Sequence, residues 1–312
     1  METFAQFMQR ALHDPERGYY ARRISAVGGR GDFTTAPMLS MLPAKAIAAW
    51  ASAALKKSNC HHLIEIGPGE GRLAREVLRH LPWWQRLKVK LHLVETSTPL
   101  AEKQARLLGR RAMLHRNMTA ALAACDGRAV IYSNELVDAF PVRRFQKTPH
   151  GWQELALEWS GKNPREHLLP VAPLPASFSF SEHHPIGQWV EVNEAYQQWL
   201  TGWLPQWHAG KMLTIDYGSP AEELYQRKPR GTVRGYLLQH RIEGPGIYEN
   251  IGRQDLTADV NFTDLIHWSE PWLKNSRLMT LREFLKPHAV KGEALLDEAG
   301  AGTAFHVLEQ NR

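Results

Sequence analysis

Residues 63–71 read Leu-Ile-Glu-Ile-Gly-Pro-Gly-Glu-Gly. The apolar start predicts a buried strand, and the glycines that follow predict a tight turn. Apolar residues then recur at helical spacing from residue 73 to residue 81, and Pro82 ends the pattern. The stretch therefore predicts a strand, a glycine turn and a helix in immediate succession.

The spacing of the glycines indicates which ligand the turn accepts. Gly67, Gly69 and Gly71 lack Cβ atoms, so the backbone can bend sharply and approach a nucleoside closely. A G-x-G-x-x-G dinucleotide fingerprint needs a third glycine at the position of Arg72. The pattern therefore favours S-adenosylmethionine over NAD, with Glu65 at the strand exit included in the predicted cofactor site. An ordinary tight connection is the alternative.

A second predicted strand, residues 91–95, ends in Glu95. This carboxylate lies 24 residues after Gly71 (95 − 71), close to the offset of about 20 residues at which an acidic residue binds a cofactor ribose. Glu95 is therefore predicted to accept hydrogen bonds from the ribose hydroxyls. Alternatively it caps the next helix, where Thr98 and Pro99 suit a helix start.

The composition limits the class of protein. The 312 residues are 43% hydrophobic and 22% charged, as in ordinary soluble proteins. The net charge of +6 is scattered along the chain, so nucleic acid is permitted but not indicated. Cys60 and Cys125 have no metal-ligand spacing, so we expect no metal and a reducing, cytoplasmic location. No signal peptide and no membrane insertion are expected, and the oligomeric state is open.

Further strand patterns occur at residues 112–115, 129–132, 212–216 and 305–308. The patterns at 112–115 and 129–132, like the two strands before them, alternate with helical patterns. This alternation predicts an α/β fold with a doubly wound, mostly parallel sheet. Ligands of such sheets bind at the C-terminal ends of the strands.

The sequence also predicts six segments along the chain. They are an N-terminal helical and lid segment (1–60), the first half of the cofactor-binding core (61–145), an insertion with a hairpin turning at 160–161 (146–209), a core strand (210–218), a second insertion near the site (219–262) and the C-terminal part of the core (263–312).

The fourth predicted strand leads into the best catalytic candidates, Asn134, Glu135 and Asp138. Methyl transfer from a sulfonium is an in-line displacement that mainly requires positioning and exclusion of water. A guanidinium acceptor, with a pKa above about 12, arrives protonated and needs carboxylates to orient it and take its proton.

The spacing of these acidic residues bears on how they would act. Glu135 and Asp138, at i and i+3, would share a face if a helical turn begins here. Capping of a helix is the alternative for all three candidates. Asp216, at the end of the fifth predicted strand, either adds a third carboxylate to the candidate site or has only a capping role.

Six blocks of this sequence, in the same order, resemble the MidA-like S-adenosylmethionine-dependent methyltransferases. The blocks are residues 13–20 (HDPERGYY), 31–37 (GDFTTAP), 65–71 (EIGPGEG), 134–141 (NELVDAFP), 215–218 (IDYG) and 254–262 (QDLTADVNF). Mitochondrial members of this family methylate an arginine of a respiratory complex I subunit during assembly. The resemblance therefore implies a protein substrate, a respiratory-complex subunit being the corresponding partner.

The resemblance also implies a seven-stranded class I methyltransferase sheet, Rossmann-like, with inserted substrate and lid segments. Cofactor contacts would come from Gly67, Gly69 and Glu95. In the block at 31–37, Asp32 and Thr34 could lay a carboxylate and a hydroxyl across the cofactor, or only begin a helix.

Three positions depart from the family pattern. Met38 stands where the family usually has an acidic residue, Pro43 replaces a glycine and Asp259 replaces a histidine. All three lie in segments expected to frame the methyl acceptor, so they bear on substrate identity and on catalysis.

The leading interpretation is a methyltransferase that acts on an arginine, or another nitrogen, of a protein. The three departures motivate an alternative, an assembly or chaperone protein that keeps the cofactor but has lost turnover. An NAD-dependent oxidoreductase is disfavoured by Arg72. An RNA methyltransferase is disfavoured because residues 134–137 lack the Asn-Pro-Pro-aromatic loop of many base-amino methylators.

Overall fold

The computed structural model describes residues 1–22, 40–161, 163–289, 294–297 and 301–312. The chain divides into two compact units, each assembled from three stretches of sequence. The sheet unit contains the described residues of 40–136, 201–217 and 269–312. The second unit contains those of 1–22, 137–200 and 218–268.

The α-helices of the described residues are α1 Phe4–His13, α2 Tyr19–Arg22, α3 Leu42–Lys57, α4 Arg72–His80, α5 Trp83–Lys88, α6 Thr98–Leu108, α7 Met118–Ala123, α8 Glu194–Trp203, α9 Ala221–Leu224, α10 Phe262–Ser269, α11 Leu281–Leu285 and α12 Ala301–Ala304. The strands are β1 Glu2–Thr3, β2 His62–Ile66, β3 Lys90–Val94, β4 Ala112–His115, β5 Val130–Asn134, β6 Arg143–Thr148, β7 Gly151–Trp159, β8 Pro164–Pro170, β9 Trp189–Val192, β10 Lys211–Ser219, β11 Arg234–Leu237, β12 His240–Ile242, β13 Asp255–Thr257, β14 Val260–Asn261, β15 Lys274–Thr280 and β16 Phe305–Asn311.

A seven-stranded sheet forms the centre of the sheet unit, in the order β15-β16-β10-β5-β2-β3-β4. Strands β10, β5, β2, β3 and β4 run parallel, whereas β16 is antiparallel to both of its neighbours. The sheet is therefore mixed, and the strands predicted from the sequence correspond to β2, β3, β4, β5, β10 and β16. Because the parallel strands point the same way, their C-terminal ends meet at one edge of the sheet.

The parallel strands are buried on both faces. In β2, Leu63 and Ile64 point to opposite faces, and both are fully buried. Leu63 joins one apolar core with side chains of α3, α4 and α11. Near-continuous apolar strands of this kind are typical of parallel sheets whose two faces are covered.

The second unit contains an antiparallel sheet in the order β1-β7-β6-β9, with β8 also paired to β7, and a three-stranded sheet β12-β11-β13. The β7–β8 pair is the hairpin predicted around residues 152–161. Helix α1 begins with a capping box between Thr3 and Gln6. Its apolar face, which includes Phe4 and Phe7, packs against Leu155 of β7.

The chain leaves the sheet unit after Leu136, earlier than the predicted segment boundary at residue 145. Glu135 has a φ of 52°, and residues 137–139 form a single 3₁₀ turn. This left-handed residue redirects the chain, and β6 then pairs with β7 and β9 in the second unit. Among the described residues, no helix has the length and apolar character needed to span a membrane.

Three histidines on adjacent strands form a hydrogen-bonded chain within the sheet unit. His62 Nδ1 lies 2.9 Å from His92 Nε2, and His92 Nδ1 lies 2.9 Å from His115 Nε2. The pKa of His92 is lowered to about 4, mainly by burial and to a smaller extent by the neighbouring histidines and Lys90. A neutral imidazole donates through one nitrogen and accepts through the other, so neutral His92 can bond to both neighbours.

We expect acidification to weaken the fold through His92. Its folded pKa lies below the ordinary value of 6.5, so its contribution to stability is present above pH 6.5 and is lost as the pH falls toward 4. By pH 5 the loss reaches roughly 2 kcal/mol. Urea unfolding of the wild type and of His92→Asn at pH 7.5 and pH 5 measures this loss of the free energy of unfolding. If wild type and variant lose the same free energy of unfolding, His92 is not the cause.

Candidate active site

The turn between β2 and α4 contains three glycines with positive φ. The φ angles of Gly67, Gly69 and Gly71 are 64°, 54° and 81°, in a region that residues with a side chain rarely adopt. Gly71 is the N-cap residue of α4, and its amide donates to Pro68 O at 2.8 Å. The sequence prediction of a strand, glycine turn and helix is therefore confirmed.

The three glycines differ in what surrounds them. A Cβ atom added to Gly67 would lie 2.7 Å from Leu136 Cδ1, and one added to Gly71 would lie 3.3 Å from Gln104 Cγ. Beside Gly69, no atom of the described residues other than its chain neighbours lies within 4 Å of the Cβ position. A side chain at Gly67 or Gly71 would therefore crowd a neighbouring side chain, whereas among the described residues Gly69 borders open space in which a ligand can reach the backbone.

Glu95 follows β3 at the same edge of the sheet. It is 8% exposed, and its Oε1 accepts a hydrogen bond from Ser97 N at 2.8 Å. Burial raises the pKa of Glu95 to about 6, although hydrogen bonds to the carboxylate oppose the rise. The group is therefore mostly ionised at neutral pH and can accept hydrogen bonds from a ligand hydroxyl.

Gln104 of α6 connects the glycine turn to Glu95. Its Nε2 donates to Gly69 O at 2.6 Å and lies 3.4 Å from Glu95 Oε2. Gln104 is fully buried, and its Oε1 has no hydrogen-bond partner among the described residues. An unsatisfied buried acceptor fits a ligand that brings a donor. Sequence reasoning missed Gln104, since a glutamine within a helical pattern carries no binding signal.

Glu65 lies on the side of β2 that faces the apolar core. It is 2% exposed, and Tyr132 Oη of β5 donates to Glu65 Oε2 at 2.8 Å. Burial raises the pKa of Glu65 to about 8, so the carboxyl is largely protonated at neutral pH. The Glu65 side chain therefore links β2 to β5. Its contact with the cofactor stays a prediction.

The end of β5 carries two of the predicted catalytic residues of the sheet unit: Asn134 is the last residue of the strand and Glu135 follows it. Asn134 Nδ2 donates to Glu135 Oε1 at 2.9 Å, and Tyr217 Oη donates to Glu135 Oε2 at 3.3 Å. Asp216 is fully buried and accepts from Leu136 N at 3.1 Å and from Tyr217 N at 2.9 Å. Asp216 therefore fixes the backbone around Glu135, in keeping with the capping interpretation.

This segment borders the glycine turn directly. The side chain of Leu136, which follows Glu135, lies 2.7 Å from the Cβ position of Gly67. The residue next to Glu135 therefore packs against the glycine turn within the sheet unit.

Asp138 belongs to the second unit. Thr257 Oγ1 donates to Asp138 Oδ2 at 2.8 Å, and burial raises the pKa of Asp138 although this hydrogen bond opposes the rise. The helical turn on which the i, i+3 argument depended does not form, because Glu135 is left-handed and precedes the 3₁₀ turn. A shared helical face for Glu135 and Asp138 therefore does not follow from their spacing.

Asp259, which replaces a usual histidine, is paired within the second unit. Arg234 Nη1 lies 2.5 Å from Asp259 Oδ1, and Lys228 Nζ pairs with Oδ2. Burial acts to raise the pKa of Asp259, but the two cations outweigh it and the pKa is lowered. The aspartate that departs from the family pattern therefore forms ion pairs with two basic side chains.

Of the four remaining positions singled out from the sequence, the structure describes Pro43. Pro43 lies in the first turn of α3, where a missing amide hydrogen costs no helical bond. Asp32, Thr34 and Met38 lie outside the described residues. Among the described residues, no group of three or more His, Cys, Asp or Glu side chains is arranged to hold a metal ion.

A family model described as "Putative S-adenosyl-L-methionine-dependent methyltransferase" matches residues 44–275. The chain belongs to this family. It is 28% identical to "Protein arginine methyltransferase NDUFAF7, mitochondrial" of Rattus norvegicus, over 96% of this chain and 73% of the relative. The Homo sapiens protein of the same name is also 28% identical, over 99% of this chain and 75% of the relative.

Among solved structures, a Burkholderia thailandensis protein bound to S-adenosyl-homocysteine superimposes with a TM-score of 0.84 at 24% identity, covering 99% of this chain and 87% of that one. This likeness establishes the mixed α/β methyltransferase fold.

Family membership makes the chain an S-adenosylmethionine-dependent methyltransferase, which confirms the predicted family, enzyme class and cofactor. The sheet unit fits this cofactor on two observations. The space beside Gly69 is open, and the buried Gln104 Oε1 lacks a donor among the described residues.

Proposed function

We propose that the chain methylates a guanidinium nitrogen of an arginine in a protein partner. The observation that carries the proposal is the position of Glu135, which follows β5 and precedes Leu136, the residue that packs against the glycine turn. The two relatives named above are protein arginine methyltransferases, which supports the same class of acceptor.

The surroundings of Glu135 suit this reaction. S-adenosylmethionine, when bound, supplies a methyl group on a positively charged sulfur. Asn134 and Tyr217 hold the two oxygens of Glu135, so the carboxylate can orient a guanidinium through paired hydrogen bonds. As the new N–C bond forms, the acceptor nitrogen loses a proton, and Glu135 is placed to receive it.

We assign the cofactor to the glycine turn together with Glu95 and Gln104. Gly69 would allow close approach of the ligand, and Glu95 would accept hydrogen bonds from the ribose hydroxyls. Gln104 would offer its unpartnered Oε1 to a ligand donor while its Nε2 keeps the turn in place. The catalytic role predicted for Asp138 is kept in the proposal, and within the second unit Thr257 orients its carboxylate.

Two broader features are also part of the proposal. A doubly wound arrangement, with helices over both faces of the sheet, is supported by the burial of Leu63 and Ile64 on opposite faces. A reducing, cytoplasmic location is supported by the two free cysteines, Cys60 and Cys125, both of which are buried.

Labelling with an isotopic methyl donor tests the acceptor. The purified chain is incubated with a protein extract and labelled S-adenosylmethionine, and the products are digested and sequenced by mass spectrometry. We expect the label on arginine side chains of a small number of proteins, and none when the chain is omitted. Label on lysine or on RNA would overturn the arginine assignment. A chain that binds the cofactor but labels nothing would favour the non-catalytic assembly role.

A further inference from the structure

A short helix of the sheet unit exposes three large apolar side chains. On α5, Trp83 is 64% exposed, Trp84 is 55% exposed and Leu87 is 72% exposed. The two indole rings meet edge to face, with centroids 6.0 Å apart. Single exposed apolar residues are ordinary, but a contiguous group of this kind marks an interaction surface.

The orientation of α5 is fixed by polar contacts on its other side. Gln85 Nε2 donates to Ser52 O of α3 at 3.0 Å, and Arg86 Nη1 reaches Arg79 O of α4 at 3.5 Å. Residues 83, 84, 87 and 88 therefore form one outward face at helical spacing. The tryptophans cannot turn inward without breaking these contacts.

Positive charge is concentrated around this face. Residues 79–90 contain four Lys or Arg and no acidic residue, so this segment carries +4. One of the four, Arg79, is paired with Glu76 of α4. Lys88 and Lys90 are exposed beside the apolar group. The positive charge of the chain is therefore less evenly scattered than the composition alone indicates.

We propose that α5 and the C-terminal end of α4, called here the α4–α5 surface (residues 79–90), dock on an anionic lipid surface. Tryptophan is favoured at the boundary between lipid and water because its ring is apolar and its N–H is polar. Flanking Lys and Arg side chains can hold their charges among anionic headgroups while their stems cover apolar surface. The association is peripheral and requires no membrane-spanning segment.

The geometry favours lipid over single-stranded nucleic acid. Base stacking needs free ring faces, but the edge-to-face contact of Trp83 with Trp84 occupies one of them. Leu87, the most exposed of the three, offers no stacking surface yet adds to apolar insertion.

Vesicle sedimentation with the full chain tests the proposal. We expect binding to vesicles of phosphatidylcholine with about 30% phosphatidylglycerol, little binding to phosphatidylcholine alone, and loss of binding at high salt. The Trp83→Ser/Trp84→Ser variant should reduce the bound fraction at least about five-fold, and Lys88→Glu should also reduce it. Binding of S-adenosylmethionine reports whether each variant is folded.

The matched control is Met113→Ser/Leu114→Ser, since these residues are 40% and 39% exposed on β4 of the same unit. This variant should bind the anionic vesicles as wild type does. Equal binding to both kinds of vesicle, or an equal loss in the control, would overturn the proposal. The proposal would also be overturned if the chain did not bind vesicles but self-associated or bound RNA, and the tryptophan variant abolished that association.

Discussion

Replacement of Gly69 by valine is expected to abolish binding of S-adenosylmethionine. Gly69 has a φ of 54° and borders open space, so valine would occupy the volume that the ligand needs. A β-branched residue also resists the left-handed conformation and would distort the turn. Together these effects should weaken binding by at least about 100-fold. Isothermal titration calorimetry of wild type and variant measures the loss.

Gly109 provides a closely matched control. It has a φ of 53°, no atom of the described residues lies within 4 Å of its Cβ position, and it belongs to the same unit. It leads into the start of β4, away from the edge where the strands end. Gly109→Val should therefore also carry the strain of a positive φ and still bind the cofactor. Normal titration heats for Gly69→Val, or equal losses in both variants, would contradict the assignment of the turn.

Replacement of Glu135 by glutamine should lower the rate of methyl transfer by about 10²- to 10⁴-fold. The amide preserves the size of the side chain but cannot take the acceptor proton. Cofactor affinity should change little, because the glycine turn and Glu95 are untouched. Initial rates with labelled S-adenosylmethionine, combined with calorimetric binding constants, separate the two effects.

Glu102→Gln is the corresponding control, because Glu102 is an exposed carboxylate on α6 of the same unit. It should retain both binding and transfer. Full biological activity in a Glu135→Gln/Asp138→Asn variant would contradict the catalytic assignment and favour the assembly role.

The central strands could be predicted because each is a continuous apolar run that the sheet buries. No comparable signal marks β15, because residues 274–277, its first half, are exposed and polar. The antiparallel direction of β16 also escaped prediction, because the pairing of a strand depends on neighbours far away in sequence.

The glycine turn and the position of Glu95 after a strand were accessible to sequence reasoning because both depend on local spacing. The bond of Gln104 to Gly69 and the pairing of Arg234 with Asp259 join residues that only the folded chain brings together. The left-handed conformation of Glu135 had no local signature, so the sequence could not decide whether a helical turn begins at this residue. Long-range contacts therefore account for most of what the sequence did not reveal.

The position of β16 has a consequence for protein synthesis. This strand, formed by residues 305–311, lies between β10 and β15, so during translation the edge of β10 that pairs with β16 stays open until residues 305–311 have left the ribosome. Open strand edges promote aggregation. Nascent or truncated chains that lack β16 should therefore depend on chaperones more than chains that include it.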